Sequence, residues 1–192
     1  WLAPPGVSLG LYVAHYTFPE PGQWQLTVAG SDDGTGASIL VGTDSRVPEP
    51  GDPAPPSQSL TAADAEALSA ISTDPEPDPA FYELSVADAV NSGQPSLIVF
   101  ATPAFCVSAV CGPTIEVAKD VAADRPDLQV VHVEPFDIEQ AQAGTTVPVD
   151  AMADWNLPTE PWVFLVDGDG TVAASFEGLV AADEIDAALL SR

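Results

Sequence analysis

Basic residues are nearly missing from this chain: Lys119 is the sole lysine, and Arg46, Arg125 and Arg192 are the only arginines, against 29 Asp and Glu. The resulting formal charge of −25 at pH 7 repels a phosphate backbone and an anionic lipid surface, which excludes nucleic acid as a partner. Such an acid excess suits an extracytoplasmic or salt-adapted protein kept soluble by its solvated carboxylates. No stretch approaches the ~20 apolar residues of a membrane helix, so no direct membrane span is expected. There are only two cysteines, Cys106 and Cys111, too few for a disulfide-rich scaffold but enough for one oxidised pair. The chain opens at Trp1 without methionine or a charged leader, so a removed signal segment or missing upstream sequence is expected.

With 46% hydrophobic residues in 192, the chain can bury a core of ordinary size. Residues 9–42 alternate at period two: Leu11, Val13 and His15 face one way, Tyr12, Ala14 and Tyr16 the other, and Gln23 to Val28 and Ala37 to Val41 repeat the pattern. This predicts a small antiparallel β unit over 1–44, which alone buries little. Pro48, Pro50, Pro53, Pro55 and Pro56 make 45–60 a proline-rich linker. Residues 61–192 form the main domain. It is expected to begin with short helices at 61–68, with Thr61 as N-cap, and at 85–90. Strands follow at 97–101, 128–134, 162–167 and 171–176, with helices at about 107–123 and 181–190. A helix between the first two strands implies parallel pairing, and the tight Asp167-Gly168-Asp169-Gly170 turn implies antiparallel pairing of the last two. The fold class is therefore α/β, a mixed sheet flanked by helices. Trp24, Trp155 and Trp162 are expected as core or interdomain anchors.

Both cysteines follow the apolar run Ser96 to Ala101 within Phe105-Cys106-Val107-Ser108-Ala109-Val110-Cys111-Gly112-Pro113. A helix N-terminus offers unpaired N–H donors and positive partial charge, so a thiolate there is stabilised. Gly112-Pro113 is expected inside the helix or at a break in it. His132 and Glu134 lie two apart on a predicted strand and so share a face, where they could tune a nearby thiolate. The Asp167 to Gly170 turn lacks the span and terminal glutamate of a calcium loop, and no metal site or cofactor is expected.

The βαβ…ββα order with cysteines after the first long strand resembles the thioredoxin-like fold family. Gly51-Asp52-Pro53-Ala54-Pro55 resembles the entry segment of its secreted redoxin branch, and Leu157-Pro158-Thr159-Glu160-Pro161-Trp162 is similar to the segment where a cis-proline precedes a strand opposite the active site. The resemblance covers about 50–192. It implies that Cys106 and Cys111 are catalytic and pair as a disulfide, and that Pro161 and Glu160 line a substrate groove. The Cys-x4-Cys spacing departs from the family's Cys-x-x-Cys. Two alignments compete: Cys106 holds the nucleophile position, or Cys111-Gly112-Pro113-Thr114 matches Cys-Gly-Pro-Cys. The first is preferred because Cys106 is expected nearer the helix N-terminus. A peroxiredoxin-like arrangement, with both cysteines on one helix, lacks the arginine and the threonine spacing that its chemistry needs.

The expected function is a thiol-disulfide oxidoreductase acting extracytoplasmically on protein dithiols. The alternative is a non-catalytic interaction module of a cell-surface assembly, with a static Cys106–Cys111 disulfide.

Overall fold

Period-two alternation needs a neighbouring strand to become structure, and the segment around Trp24 finds one nearby. In the computed structural model, which describes residues 16–29, 36–108 and 110–191, β1 (Gly22–Thr27) pairs antiparallel with β2 (Gly36–Val41), Trp24 opposite Ile39. Trp24 packs locally with Phe18 and Tyr16, at ring-centroid distances of 5.4 and 6.4 Å. The expected strand residues Leu11, Tyr12, Val13, Ala14 and His15, and the turn at 31–35, lie outside the described residues.

The larger unit begins with α1 (Val86–Val90), where the Ser85 hydroxyl accepts from Asp88 N–H and the Asp88 carboxylate reaches back to Ser85. Then come β3 (Ser96–Phe100), α2 (Cys111–Asp124) and β4 (Gln129–Val133). Two short helices, α3 (Ile138–Gln142) and α4 (Asp150–Asp154), precede β5 (Trp162–Val166), β6 (Val172–Glu177) and α5 (Ala182–Ser191). The sheet order is β4-β3-β5-β6, with β3 parallel to β4 and both other pairings antiparallel.

β3 is buried along its whole length, as its unbroken apolar run requires. Its pleat sends Leu97 and Val99 to one face, where Ile115 and Val121 of α2 and Ile185 of α5 cover them. Ile98 and Phe100 point to the other, against Val86 of α1, Trp155 and Phe164. Each such side chain contributes about 1.5–3 kcal/mol on full burial. The sheet therefore forms a rigid platform for the loop at the C-terminal end of β3, which carries the first cysteine.

Three segments differ from expectation. Residues 61–68 form turns, and only Leu68–Ala70 winds, as a 3-10 helix. The Asp64 carboxylate accepts from Thr61 N–H and hydroxyl, which closes a single turn; too few apolar side chains follow to propagate a helix. The proline-rich stretch lies along β6: Gly51 N–H donates to Val172 O, Val172 N–H to Asp52 O and Ala54 N–H to Gly170 O, each at 2.9 Å, and Ala54 is buried. The third difference is the start of α2, at Cys111 rather than near 107.

Candidate functional site

A cysteine that opens a helix stands among unpaired N–H groups, and Cys111 is the first residue of α2. It is fully buried, whereas Cys106, in the preceding loop, is only half-buried. The two are joined as a disulfide with a Cα–Cα separation of 6.1 Å. The expectation that Cys106 stands nearer the helix N-terminus is overturned, because Pro103 to Phe105 and Val107 to Ser108 form turns and the helix begins only at Cys111. Gly112 and Pro113 fall in the first turn of α2, where a missing proline N–H costs no hydrogen bond, so the expected break does not form. By helix register, Cys111-Gly112-Pro113-Thr114 occupies a helix start in the manner of the second alignment, with Thr114 in the fourth place.

Thr114 is buried and ties the helix start to the opposite strand. Its hydroxyl donates to Val110 O at 2.9 Å and faces Gly178 O at 3.5 Å, while Gly178 N–H donates to Pro161 O at 2.8 Å. The Glu160–Pro161 peptide bond is cis. Pro161 is buried and Glu160 half-buried; burial pushes the Glu160 carboxyl above its ordinary range. Among the described residues no ion pair engages that carboxylate. On the loop side, the Cys106 sulfur lies 3.2 Å from the Ser108 hydroxyl, and the Val107 side chain points into solvent.

His132 is buried with both ring nitrogens engaged: Nδ1 lies 2.6 Å from the Tyr82 hydroxyl and Nε2 2.8 Å from Ala101 O. Burial holds it down to about 4, against the opposing backbone hydrogen bond at Ala101, so it is neutral at pH 7. A ring so engaged has neither a free N–H to donate to a thiolate nor a free nitrogen to take a thiol's proton. Glu134 is also buried, and desolvation raises its carboxyl, opposed by the Thr102 hydroxyl and by Thr73. Glu134 accepts from Thr73 N–H at 2.9 Å and from the Thr73 hydroxyl at 3.0 Å, and Thr73 Oγ1 accepts from Ala104 N–H at 3.2 Å. Glu134 therefore reaches the cysteine loop through Thr73, which holds Ala104, two residues before Cys106. Sequence reasoning missed Thr73 because it sits 61 residues from Glu134 in a proline-rich crossing with no local signal. Beside this network Lys119 bridges Asp74 at 2.8 Å and Glu116 at 2.7 Å. Among the described residues no group of His, Cys, Asp and Glu side chains is arranged to hold a metal ion, and no helix is long and apolar enough to cross a membrane.

A crystal structure described as a thiol:disulfide interchange protein DsbE from Chlorobium tepidum matches 75% of this chain and 97% of its own length, at 17% identity and a TM-score of 0.52. The chain has a thioredoxin-like fold. A secreted Mycobacterium tuberculosis disulfide oxidoreductase homologous to E. coli DsbE matches 57% of the chain and 88% of its own length, at 21% identity and a TM-score of 0.43. StoA from Bacillus subtilis matches 62% and 94%, at 16% identity and a TM-score of 0.42. No family model and no curated protein sequence matches the chain. Within the fold, the disulfide lies where β3 hands over to α2, and Pro161 directly precedes β5, the antiparallel neighbour of β3.

Proposed function

We propose that this chain is an extracytoplasmic thiol-disulfide oxidoreductase that acts on protein dithiols. Its organisation would be a small β unit (1–44), a proline-rich connecting stretch (45–60) whose later part lies along β6, and a thioredoxin-like domain (61–192). The observation that carries the reading is the asymmetry of the disulfide: one sulfur half-exposed on a loop, its partner buried at the start of a helix.

In the proposed reaction a substrate thiolate attacks Cys106 Sγ. The Cys106–Cys111 bond breaks, and its electron pair passes to Cys111, where the helix N–H groups stabilise the departing thiolate. A second substrate thiol, losing its proton, attacks the substrate sulfur of the mixed disulfide, and Cys106 leaves as a thiolate. The substrate gains a disulfide and gives up two electrons and two protons; Cys106 and Cys111 become the dithiol. Pro161 and Glu160 line the groove that receives the substrate backbone, while Glu134 and His132 act behind the cysteine loop. The acid excess and the single lysine support an extracytoplasmic setting.

Equilibration with glutathione, paired with a dithiol-exchange assay, tests this. The expected outcome is exchange by the wild type, none by Cys106→Ser, and a trapped mixed disulfide with Cys111→Ser. A potential below about −300 mV without exchange would place the pair among structural disulfides and leave the static interaction module as the reading.

A further inference from the structure

Four residues between the cysteines, where a Cys-x-x-Cys protein has two, create a feature with chemistry of its own. The ring closed by the disulfide carries Val107 at its turn, 98% exposed, directly after the half-buried Cys106. Both ends of the ring are held. Cys111 is buried at the helix start, and the Ser108 hydroxyl contacts the Cys106 sulfur at 3.2 Å. An isopropyl group kept in water gains nothing for folding, and every valine within strands β3, β4, β5 and β6 is buried.

We infer that Val107 is a specificity residue: it selects protein thiols flanked by an apolar side chain. The inference rests on the oxidoreductase reading and adds to it the class of substrate. Geometry names the occupant. In a mixed disulfide the two Cα atoms lie about 4.4–6.8 Å apart, and consecutive Cα atoms are about 3.8 Å apart. The residue flanking the substrate cysteine therefore comes within side-chain reach of Val107 whenever the sulfurs are joined. An apolar flank buries the isopropyl group at that moment, and a polar flank leaves it wet. The contact exists only in the covalent intermediate and its transition state, so it changes the exchange rate without changing the free protein.

Two twelve-residue dithiol peptides of equal charge, with Leu or Ser beside the first cysteine, supply the test. Second-order exchange rates are measured with wild type, Val107→Ser and Val107→Leu, alongside the glutathione equilibrium of each. Wild type should favour the Leu peptide by about tenfold, the discrimination a small apolar contact provides. Val107→Leu should retain that preference, and Val107→Ser should lose it with the Ser-peptide rate and the reduction potential unchanged. Equal rates for both peptides in the wild type, or a preference that survives Val107→Ser, would overturn this inference and leave the oxidoreductase standing. No exchange of either peptide by the wild type would overturn both.

Discussion

The Tyr82 hydroxyl lies 2.6 Å from Nδ1 of His132, and the ring's other nitrogen lies 2.8 Å from the Ala101 carbonyl oxygen. A carbonyl only accepts, so Nε2 carries the proton and Nδ1 receives one from Tyr82. The Tyr82 oxygen lies 2.8 Å from Ser72 Oγ, which accepts from Asp74 N–H at 3.1 Å, so the chain of contacts is closed within the protein. A second proton on the ring has no acceptor unless Tyr82 turns its own hydrogen away. The same burial holds the Tyr82 phenol well above its usual range.

His132 therefore makes the fold sensitive to acid. Its folded value of about 4 lies below the ordinary 6.5, so the unfolded chain binds more protons between these limits and stability falls as pH drops from 6.5 toward 4. Chemical denaturation of wild type and His132→Gln across pH 4–7 should show the difference between them growing with pH, by about 3 kcal/mol at most. A difference flat in pH would mean that His132 titrates in the fold as it does in the unfolded chain.

Glu134 acts in the opposite sense. Its folded carboxyl is raised above 4.5, chiefly by burial, so its charge costs stability as pH rises through and beyond that value. Glu134→Gln keeps an acceptor for Thr73 N–H and removes the charge, so its stability relative to wild type should improve with rising pH. Thr73→Ala cuts the tie between Glu134 and Ala104 N–H. It should speed amide exchange at 102–106 and change the potential of the cysteine pair, while Thr73→Ser should restore both. Unchanged exchange at those amides in Thr73→Ala would show that the loop needs no such support.

Much of this domain was legible in the chain because its signals are local. The apolar runs of β3 and β5 and the Asp167 to Gly170 turn each fix their own segment, and the order of strands and helices implied a mixed sheet flanked by helices. The start of α2 was not legible. Val107 and Ser108 would fit a helix, yet they form a turn within the loop that the Cys106–Cys111 disulfide closes. The Thr73–Glu134 tie is equally invisible, since it joins residues 61 apart with no periodicity between them. Pro161 was found because its neighbours Thr159, Glu160 and Trp162 carry the resemblance, whereas Val107 becomes notable only once its exposure is seen.

Trp155 packs against Phe164 and Phe100, with ring centroids 4.5 and 5.5 Å away, and is fully buried. Among the described residues its indole N–H has no hydrogen-bond partner. Trp155→Ala should cost about 3–5 kcal/mol in urea unfolding by leaving a cavity. Trp155→Phe should cost much less, because losing an unsatisfied buried donor returns about 1–3 kcal/mol against the lost volume. Equal losses in the two variants would mean that the indole N–H is satisfied in solution.

Thr114→Cys places a third thiol one turn along α2 from Cys111, in the order Cys-Gly-Pro-Cys. The change removes the hydroxyl bond to Val110 O, at a cost of about 1 kcal/mol. Disulfide mapping by mass spectrometry should find a linkage between positions 111 and 114 beside the native one. In a Cys106→Ser background the same change should restore dithiol exchange. Native pairing alone, with no restored exchange, would mean that the helix start does not present Cys111 to a neighbour on its own helix.

Glu160, directly before Pro161, is the carboxylate expected to read charge on the substrate. It is half-buried, and among the described residues no basic side chain pairs with it. A dithiol peptide with Lys beside its cysteine should react faster than one with Glu. Glu160→Gln should shrink that ratio by about twofold to fivefold, the range of a partly exposed ion pair. Glu66→Gln, which removes one exposed charge outside the groove, should leave it unchanged and so separate the local contact from the general field of an acidic protein. Because burial raises the Glu160 carboxyl above 4.5, acidification neutralises it early, and the preference for Lys should fade as pH falls toward that value, in wild type but not in Glu160→Gln. A preference that survives Glu160→Gln at neutral pH would assign the selection to the protein's overall charge and remove Glu160 from the groove.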